Sequence, residues 1–594
     1  MSSAALAADY HVSPDGTDAG DGSQSNPWKT LAHAATQVAE NDVINLTAGT
    51  FVETANADFP LGVDLIGAGS DQTTLKWGGQ TELYEGAWRF VSDGPVDGNH
   101  IISDMTIDGD NIAGFNAIEI IYRNNVTVER MIFRDCDHAA LRIHGEKEPG
   151  WPDNLHTDPT TYVTGFILRH SEFYECGRAE SYGAGGVIFV ATLEGAQIHN
   201  NRMVNEVKQS YGIKGWFGRG FFKGVKIFDN YFQIAQLTSG IWSGTAFAIE
   251  LKTPFANTEI FNNFSYNCFS LVWPHKDTFA ERTIYVHHNT IINTGTDLAI
   301  EATMPNSEIA YNYIYDGSNQ AIAIWRATKP DEAATWTRDN AFVHHNVIEN
   351  TEKINDQYFL DMAGEMDNVR IYNNTMMTSS AIVSFYGPHS YTNIDIRNNL
   401  FMDIGGSRLI KFSTTDATVD SFTFRDNMAT EYSGGYWLWG YHKPEMPNSD
   451  TVSIDEQVVS DPGLVMTGEA HSLERFRPSS ANAAVVDAGV DVGLPYEGSA
   501  PDIGAFEYGN TEMTIGADTS SWDDPVSISQ APQQGPQGAL PQVRSATAKT
   551  RSAARFDLQG RSAQGVRRTR VAGFEIIVDE HGIIHRQVYT EAVK

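Results

Sequence analysis

Ten residues of this chain combine carboxylates, cations and indoles in an order suited to acid–base chemistry. Lys214 and Trp216 come first, then Glu250 and Lys252, then Trp273 and His275, then Glu301, then Trp325 with Arg326, and last Asp361. A carboxylic acid and a carboxylate separated by a bond plus a water can hydrolyse a glycosidic linkage. A base beside a cation can instead take the proton next to a uronate carboxylate and expel the neighbouring oxygen. The indoles offer apolar faces on which sugar rings can lie.

These residues sit in short runs that read as strands: GIKGWF at 212–217, FAIELK at 247–252, FSLVWPH at 269–275, LAIEAT at 298–303, AIAIWRA at 321–327 and YFLDMA at 358–363. Side chains alternate across a strand. With Ile249 and Leu251 inside, Glu250 and Lys252 face out; Ile300 inside puts Glu301 out, and Ile324 inside puts Trp325 out.

A ladder of asparagines brings the runs together. The segments QIHNNRM, KIFDNYF, EIFNNFS, YVHHNTI, IAYNYIY, FVHHNVI, RIYNNTM, DIRNNLF and TFRDNMA end their turns on Asn201, Asn230, Asn263, Asn289, Asn312, Asn346, Asn374, Asn399 and Asn427. The intervals run from 23 to 34 residues. A repeat of that length, built on a short alternating strand and a polar turn, buries its apolar face only by stacking on its neighbours. Stacked asparagines can bond one another and the backbone at the same corner of every coil.

Glu250 and Glu301 precede ladder asparagines by nearly equal intervals, so they fall at equivalent places two coils apart. At ~4.8 Å per rung that is about 9.5 Å, near the upper end of the ~6.5–9.5 Å typical of an inverting carboxyl pair. In this reading one carboxyl protonates the leaving oxygen and the other activates water, Lys252 and His275 set their pKa values apart, and Asp361 stands in reserve. Lys214, Trp216, Trp273, Trp325 and Arg326 are the substrate-binding candidates.

The ladder resembles the right-handed parallel β-helix of the pectate-lyase-like superfamily of secreted carbohydrate-active enzymes, over about residues 100 to 430. That resemblance implies an all-β solenoid with an N-terminal cap and a polysaccharide lying along one outer face. The segment IELKTPFANTEIFNNFSYNCFSLVWPHK resembles the catalytic strand pair of chondroitinase B and alginate lyases. There Glu250 and Lys252 match by type, Trp273 or Pro274 replaces the family's arginine, and Arg326 offers a cation farther along. The expectation is a polysaccharide-degrading enzyme acting by hydrolysis, with elimination as the runner-up. A non-catalytic glycan-binding solenoid is the third reading. Neither chemistry requires a cofactor. Calcium is the one ion considered, at Asp108, Asp110 and Asn111, where a Gly-rich turn explains the residues as well.

The rest of the chain bounds these readings. In 594 residues, 41 basic groups face 75 acidic ones, a net charge of −34, which disfavours nucleic acid and anionic membranes as partners. No apolar run is long enough for a membrane span. Cys136, Cys176 and Cys268 are too few for a disulfide framework and read as buried thiols. Residues 1–8 read as a signal-peptide remnant or an ordinary tail, 9–98 as cap and first coils, 99–508 as the solenoid and 509–543 as a linker. Three insertions, at 145–164, 231–246 and 328–340, read as groove walls. His144, His156 and Asp158 lie in or beside the first of these, and the pairs His287–His288 and His344–His345 read as corner stacking. Residues 544–594 carry ten basic against five acidic groups. Their runs Phe556–Arg561 and Gly573–Val578 resemble the C-terminal sorting modules of Bacteroidetes- and Fibrobacter-like bacteria. The resemblance implies export through a secretion machinery and an extracellular or cell-surface location.

Overall fold

The computed structural model describes residues 7–79, 85–145, 162–177, 186–206, 210–215, 222–234, 247–251, 255–268, 270–274, 284–294, 298–302, 305–317, 320–324, 339–351, 358–379, 381–404, 410–430, 445–454, 457–467, 472–520, 567–571, 574–578 and 584–588. Up to the last coil, the strands form parallel ladders. Each coil gives one strand to a first sheet, one to a second and one to a third. In the coil of Asn374 these are Tyr358–Ala363, Met366–Tyr372 and Thr375–Ser379. The chain is an all-β parallel β-helix.

The register follows from what each strand buries. Ile213, Ile249, Val272, Ile300, Ile322, Leu360 and Val383 are successive partners along the first sheet. All belong to the buried core that fills the coils. A shift by one residue would turn this aliphatic stack outward and bring charge into the core. Cys136, Cys176 and Cys268 are buried free thiols.

The asparagine ladder is continuous from Asn201 to Asn427. In each step the side-chain Nδ2 donates to the Oδ1 of the next asparagine at 2.9–3.0 Å, and the backbone N–H donates to that same Oδ1 at 2.9–3.1 Å. The Nδ2 of Asn263 also reaches the carbonyls of Ile227, one coil back, and Phe261. The residue before each ladder asparagine is left-handed, with φ between 50° and 57°. Asparagine and aspartate tolerate this region; His288, Tyr311 and His345 are costlier there. Their rings stack, His288 on Tyr311 at 4.9 Å and Tyr311 on His345 at 5.0 Å, so the histidine pairs are corner elements.

At the N-terminus, helix α1 (Leu31–Gln37) buries Leu31, Ala34 and Ala35. Thr30 caps it by accepting from the His33 N–H, and Asp18 accepts from the N–H of Lys29 and Thr30.

The segment after the last coil departs from the expected closure. Instead of ending the solenoid, residues 460–467 and 472–520 fold back along the outer face of the third sheet as a strap. Residues 509–520, expected to begin a linker, belong to it. Leu464, Phe476, Val485, Ile503, Phe506 and Ile515 form an apolar layer with Tyr313, Val347, Leu400 and Met428 of that sheet. Two tripeptides dock the strap in the same way. In Ile503-Gly504-Ala505 the Gly504 N–H donates to Asn398 O and the Ala505 N–H to Thr375 Oγ1. In Ile515-Gly516-Ala517 the Gly516 N–H donates to Tyr311 O and the Ala517 N–H to Thr290 Oγ1. Both glycines have positive φ (107° and 77°), and a Cβ there would stand 2.8 and 2.7 Å from the threonine oxygens. Thr290 and Thr375 are the only threonines that directly follow a ladder asparagine in the sequence.

Residues 532–594 form a separate unit containing a three-stranded antiparallel sheet, Arg567–Val571, Phe574–Val578 and Ile584–Val588.

Replacing one ladder residue, as in Asn346→Ala, leaves a buried corner carbonyl and neighbouring amide groups without their partner. We expect a loss of about 3 kcal/mol in denaturant unfolding, since each orphaned buried group costs roughly 1–3 kcal/mol. Loss of under 0.5 kcal/mol would show the ladder to be incidental.

Candidate active site

The outward side of the first sheet carries one continuous register of mostly charged positions. From the N-terminal coils onward it reads Asp58, Arg89, Glu119, Arg142, Phe189, Lys214, Glu250, Trp273, Glu301, Ala323, Asp361, Ser384 and Lys411. The local cause is the same on coil after coil: a charged residue flanked by two that enter the core, as in Ile118-Glu119-Ile120, Leu141-Arg142-Ile143 and Ile249-Glu250-Leu251. Parallel pairing then sets these residues one rung apart, at ~4.8 Å.

Opposite charges meet along the register. Arg89 lies 3.4 Å from Asp58 and 3.5 Å from Glu119, Arg142 lies 2.8 Å from Glu119, and Lys214 Nζ lies 3.4 Å from Glu250 Oε2. A second outward register, three residues earlier on each strand, supports them. Its Tyr211 ring lies 3.8 Å from Lys214 Nζ and stacks on Phe247 at 5.8 Å. Its Gln320 Nε2 donates to Asp361 Oδ2 at 2.8 Å, and its Tyr358 hydroxyl accepts from Lys411 Nζ.

Glu250 and Glu301 therefore share one wall, two rungs apart, with Trp273 at the rung between. One expectation changes. Lys214, Glu250, Glu301 and Asp361 face away from the core, yet they are buried rather than solvent-exposed, at 3%, 0%, 3% and 4% of full exposure. The reason visible at Lys214 is that its ammonium is held between the Glu250 carboxylate and the Tyr211 ring, not extended into water.

Glu301 pairs with Ala323, and Trp325 comes two positions later. Trp216, Lys252 and His275 likewise follow Lys214, Glu250 and Trp273 by two positions. Trp216, Lys252, His275, Trp325 and Arg326 lie outside the described residues, as do His156 and Asp158 and most of the three insertions. Trp273 is described as a strand position only. His144 ends its strand buried, in register with Ile121 and Ala191. At the turn considered for calcium, Asp108 pairs with two cations, Lys76 at 3.1 Å and Arg134 at 2.9 Å. Among the described residues no group of three or more His, Cys, Asp or Glu is arranged to hold a metal.

His138, Arg142, Glu119 and Tyr211 are additions that sequence reasoning passed over. His138 is buried and stacks on Phe189 at 5.4 Å. Its Nδ1 lies 2.7 Å from Asn116 Oδ1, whose amide nitrogen is turned to Gly114 O. That contact makes Nδ1 the proton-bearing nitrogen and leaves the Nε2 lone pair as the basic one. Burial, then the Arg142 charge, push the His138 pKa down to about 4, Asp137 opposing and Lys214 adding a smaller downward push. At neutral pH the ring is an uncharged imidazole among cations. The signal for Glu119 and Arg142 was present in the sequence as single charges set between aliphatic residues of a strand.

Residues 14–135 match a family described as a protein of unknown function, DUF1565. No curated protein matches the chain. Among solved structures the chain is similar to a rhamnogalacturonan lyase, at 13% identity and a TM-score of 0.40 over 57% of this chain and 87% of that one. It is similar to a mannuronic acid specific polysaccharide family 6 lyase from human gut microbiota, at 13% identity and 0.39 over 74% and 91%. It is also similar to the pre-mature gene product 12 of bacteriophage phi29, at 13% identity and 0.42 over 66% and 54%. The fold assignment rests on the ladders described above.

Removing one member of the central pair should cost more than removing both. Lys214→Met takes the ammonium from a carboxylate that has no solvent contact, and we expect about 3 kcal/mol of destabilisation. The double variant Lys214→Met/Glu250→Gln should recover at least half. A double-variant loss equal to the sum of the two single losses in a denaturant double-mutant cycle would mean the pair is not coupled.

Proposed function

We propose that this protein is a polysaccharide-cleaving enzyme whose site is the outward register of the first sheet between Arg142 and Asp361. The observation that carries the reading is a row of buried ionisable groups on the wrong side of the strands for core packing. Buried charge is costly, and rows of it on an outer face are where fixed acids, bases and cations are useful. The spacing of coils, ~4.8 Å, suits an extended glycan lying along the axis.

Elimination is the chemistry that the arrangement supports best. His138 Nε2 would take the proton next to a uronate carboxylate, and the electron pair would form the new double bond. The C–O bond to the departing sugar would break, and its oxygen would take up a proton. Arg142 and Lys214, on either side of the Phe189 rung, would hold the carboxylate as negative charge builds on it. Glu250, already set against Lys214, would keep that ammonium in place. This set needs no metal.

Hydrolysis is the second reading, favoured by the two-rung spacing of Glu250, Glu301 and Asp361. In it water replaces the departing sugar, one carboxyl acting as acid and another as base.

Products separate the two. The full chain is incubated with pectic, algal and neutral plant polysaccharides, and reducing ends and the absorbance of unsaturated uronates are both followed. Elimination yields both signals; hydrolysis yields reducing ends alone. Neither signal on any glycan, with retention on an insoluble one, leaves a binding solenoid. Under elimination, His138→Gln lowers kcat by about 100-fold or more, the usual scale for a general base, with an unchanged circular dichroism spectrum. Under hydrolysis, Glu301→Gln shows that loss and His138→Gln does not. The basic C-terminal unit is proposed to direct export or surface attachment, which deletion of residues 532–594 and cell fractionation would test.

A further inference from the structure

The strap contains a buried pair of carboxylates that no part of the proposed chemistry uses. Asp502 and Glu507 flank the first docking tripeptide and are 1% and 3% exposed. They brace the turn reciprocally: the Asp502 N–H donates to Glu507 Oε1 at 3.1 Å, and the Tyr508 N–H donates to Asp502 Oδ2 at 2.6 Å. Glu507 Oε2 accepts from the Glu497 N–H at 3.3 Å, and Asp502 Oδ1 from the Asp487 N–H at 2.8 Å. The turn is fastened to the solenoid where Asn373 Nδ2 donates to Asp502 O at 3.0 Å.

Among the described residues, the charges facing this pair are all of one sign. Asp487 and Glu497, from the strap itself, are acidic. The third-sheet coils beneath present Asn373, Thr375, Asn398 and Leu400, which carry none. Arg477, the strap's nearby cation, stands over the Phe506 ring at 4.5 Å, pairs with Glu474 and donates to Asn510 O and Met513 O. Four backbone N–H groups favour the charged forms, but burial and mutual repulsion oppose having both carboxylates charged, and a proton on one of them relieves the repulsion.

We propose that the strap is a pH-dependent latch, held down on the coils from Asn398 toward Asn262 by a proton kept on the Asp502–Glu507 pair, and loosened when that proton leaves. The second docking tripeptide, 515–517, has no such pair and serves as the fixed end. The coils the strap crosses are those that bear Glu250, Glu301 and Asp361 on the first sheet, so the latch sets how firmly those strands are held in register.

Burial, then repulsion from Asp502, push the Glu507 pKa up from 4.5 to about 7, and burial raises that of Asp502. The sign follows. A carboxylate whose pKa is higher when docked adds stability that is complete below about 4.5 and is lost as pH rises through about 7. Buried histidines act in the opposite sense: His100 and His138 are pushed down to about 4, and they weaken the fold as pH falls from 6.5 toward that value. A global melting curve mixes the two, so the test must be local.

Hydrogen exchange of the full chain, followed by mass spectrometry and corrected for the intrinsic effect of pH, compares the peptides spanning 502–508 and 514–519. Between pH 5.5 and 8.5 the first should lose roughly 30-fold in protection, the ratio that values of 4.5 and about 7 imply. The second should stay flat. Glu507→Gln, which imitates the protonated carboxyl, should flatten the first as well. Equal pH slopes in both peptides, no slope in the first, or a slope kept in the Gln variant would each overturn the latch. If the variant does not fold, the two wild-type peptides still decide.

Discussion

One amide-to-amide hydrogen bond, repeated at one corner, is the constraint on which the molecule depends. Between the two ends, each ladder asparagine accepts two bonds on its Oδ1 and donates from its Nδ2 to the next asparagine and to nearby carbonyls, as Asn263 does. Only an amide side chain both donates and accepts in this way. Its place fixes the rotation of each coil against the next, and thereby the register of all three sheets. The aliphatic core supplies most of the driving force and disfavours a one-residue slip, and the ladder fixes the same register at the corner.

Once the register is fixed, residues far apart in sequence become neighbours on one wall. That is how Lys214 meets Glu250 and Arg142 meets Glu119. These ion pairs are buried, and a buried pair is poor evidence of stability, because desolvation offsets much of the attraction. A chain optimised for stability alone would carry more valine and isoleucine there. Retention of charge on successive rungs, with an uncharged imidazole tucked beside Phe189, is the reason for assigning chemistry to this face.

Much of this was legible in the sequence. The asparagine spacing marked the coil, the alternation around Ile249 and Leu251 marked which side Glu250 takes, and the nearly equal intervals to Asn263 and Asn312 placed Glu250 and Glu301 two rungs apart. Burial was not legible, since alternation says which way a side chain leaves the strand and nothing of what lies over it. His138 was missed because it precedes the regular strand, where no alternation rule applies. The strap was divided between the end of the solenoid and a linker, since nothing in the tripeptide Ile-Gly-Ala marks it as docking against threonine without knowing that Thr290 and Thr375 follow ladder asparagines.

The strap changes what kind of object this solenoid is. In a simple stack each coil touches only its neighbours, so damage at an end can peel inward one layer at a time. Here the bond between Asn262 and Asp518 joins residues 256 apart, and that between Asn398 and Val490 joins residues 92 apart. The middle layers are thereby tied to a part of the chain made after the last coil. During synthesis from the N-terminus, those layers can wind early but acquire their outer cover only after residue 520 has emerged. A chain stopped short of that point would hold the row of charges in place while leaving Tyr313, Val347 and Leu400 bare along its flank, a sticky surface for other chains.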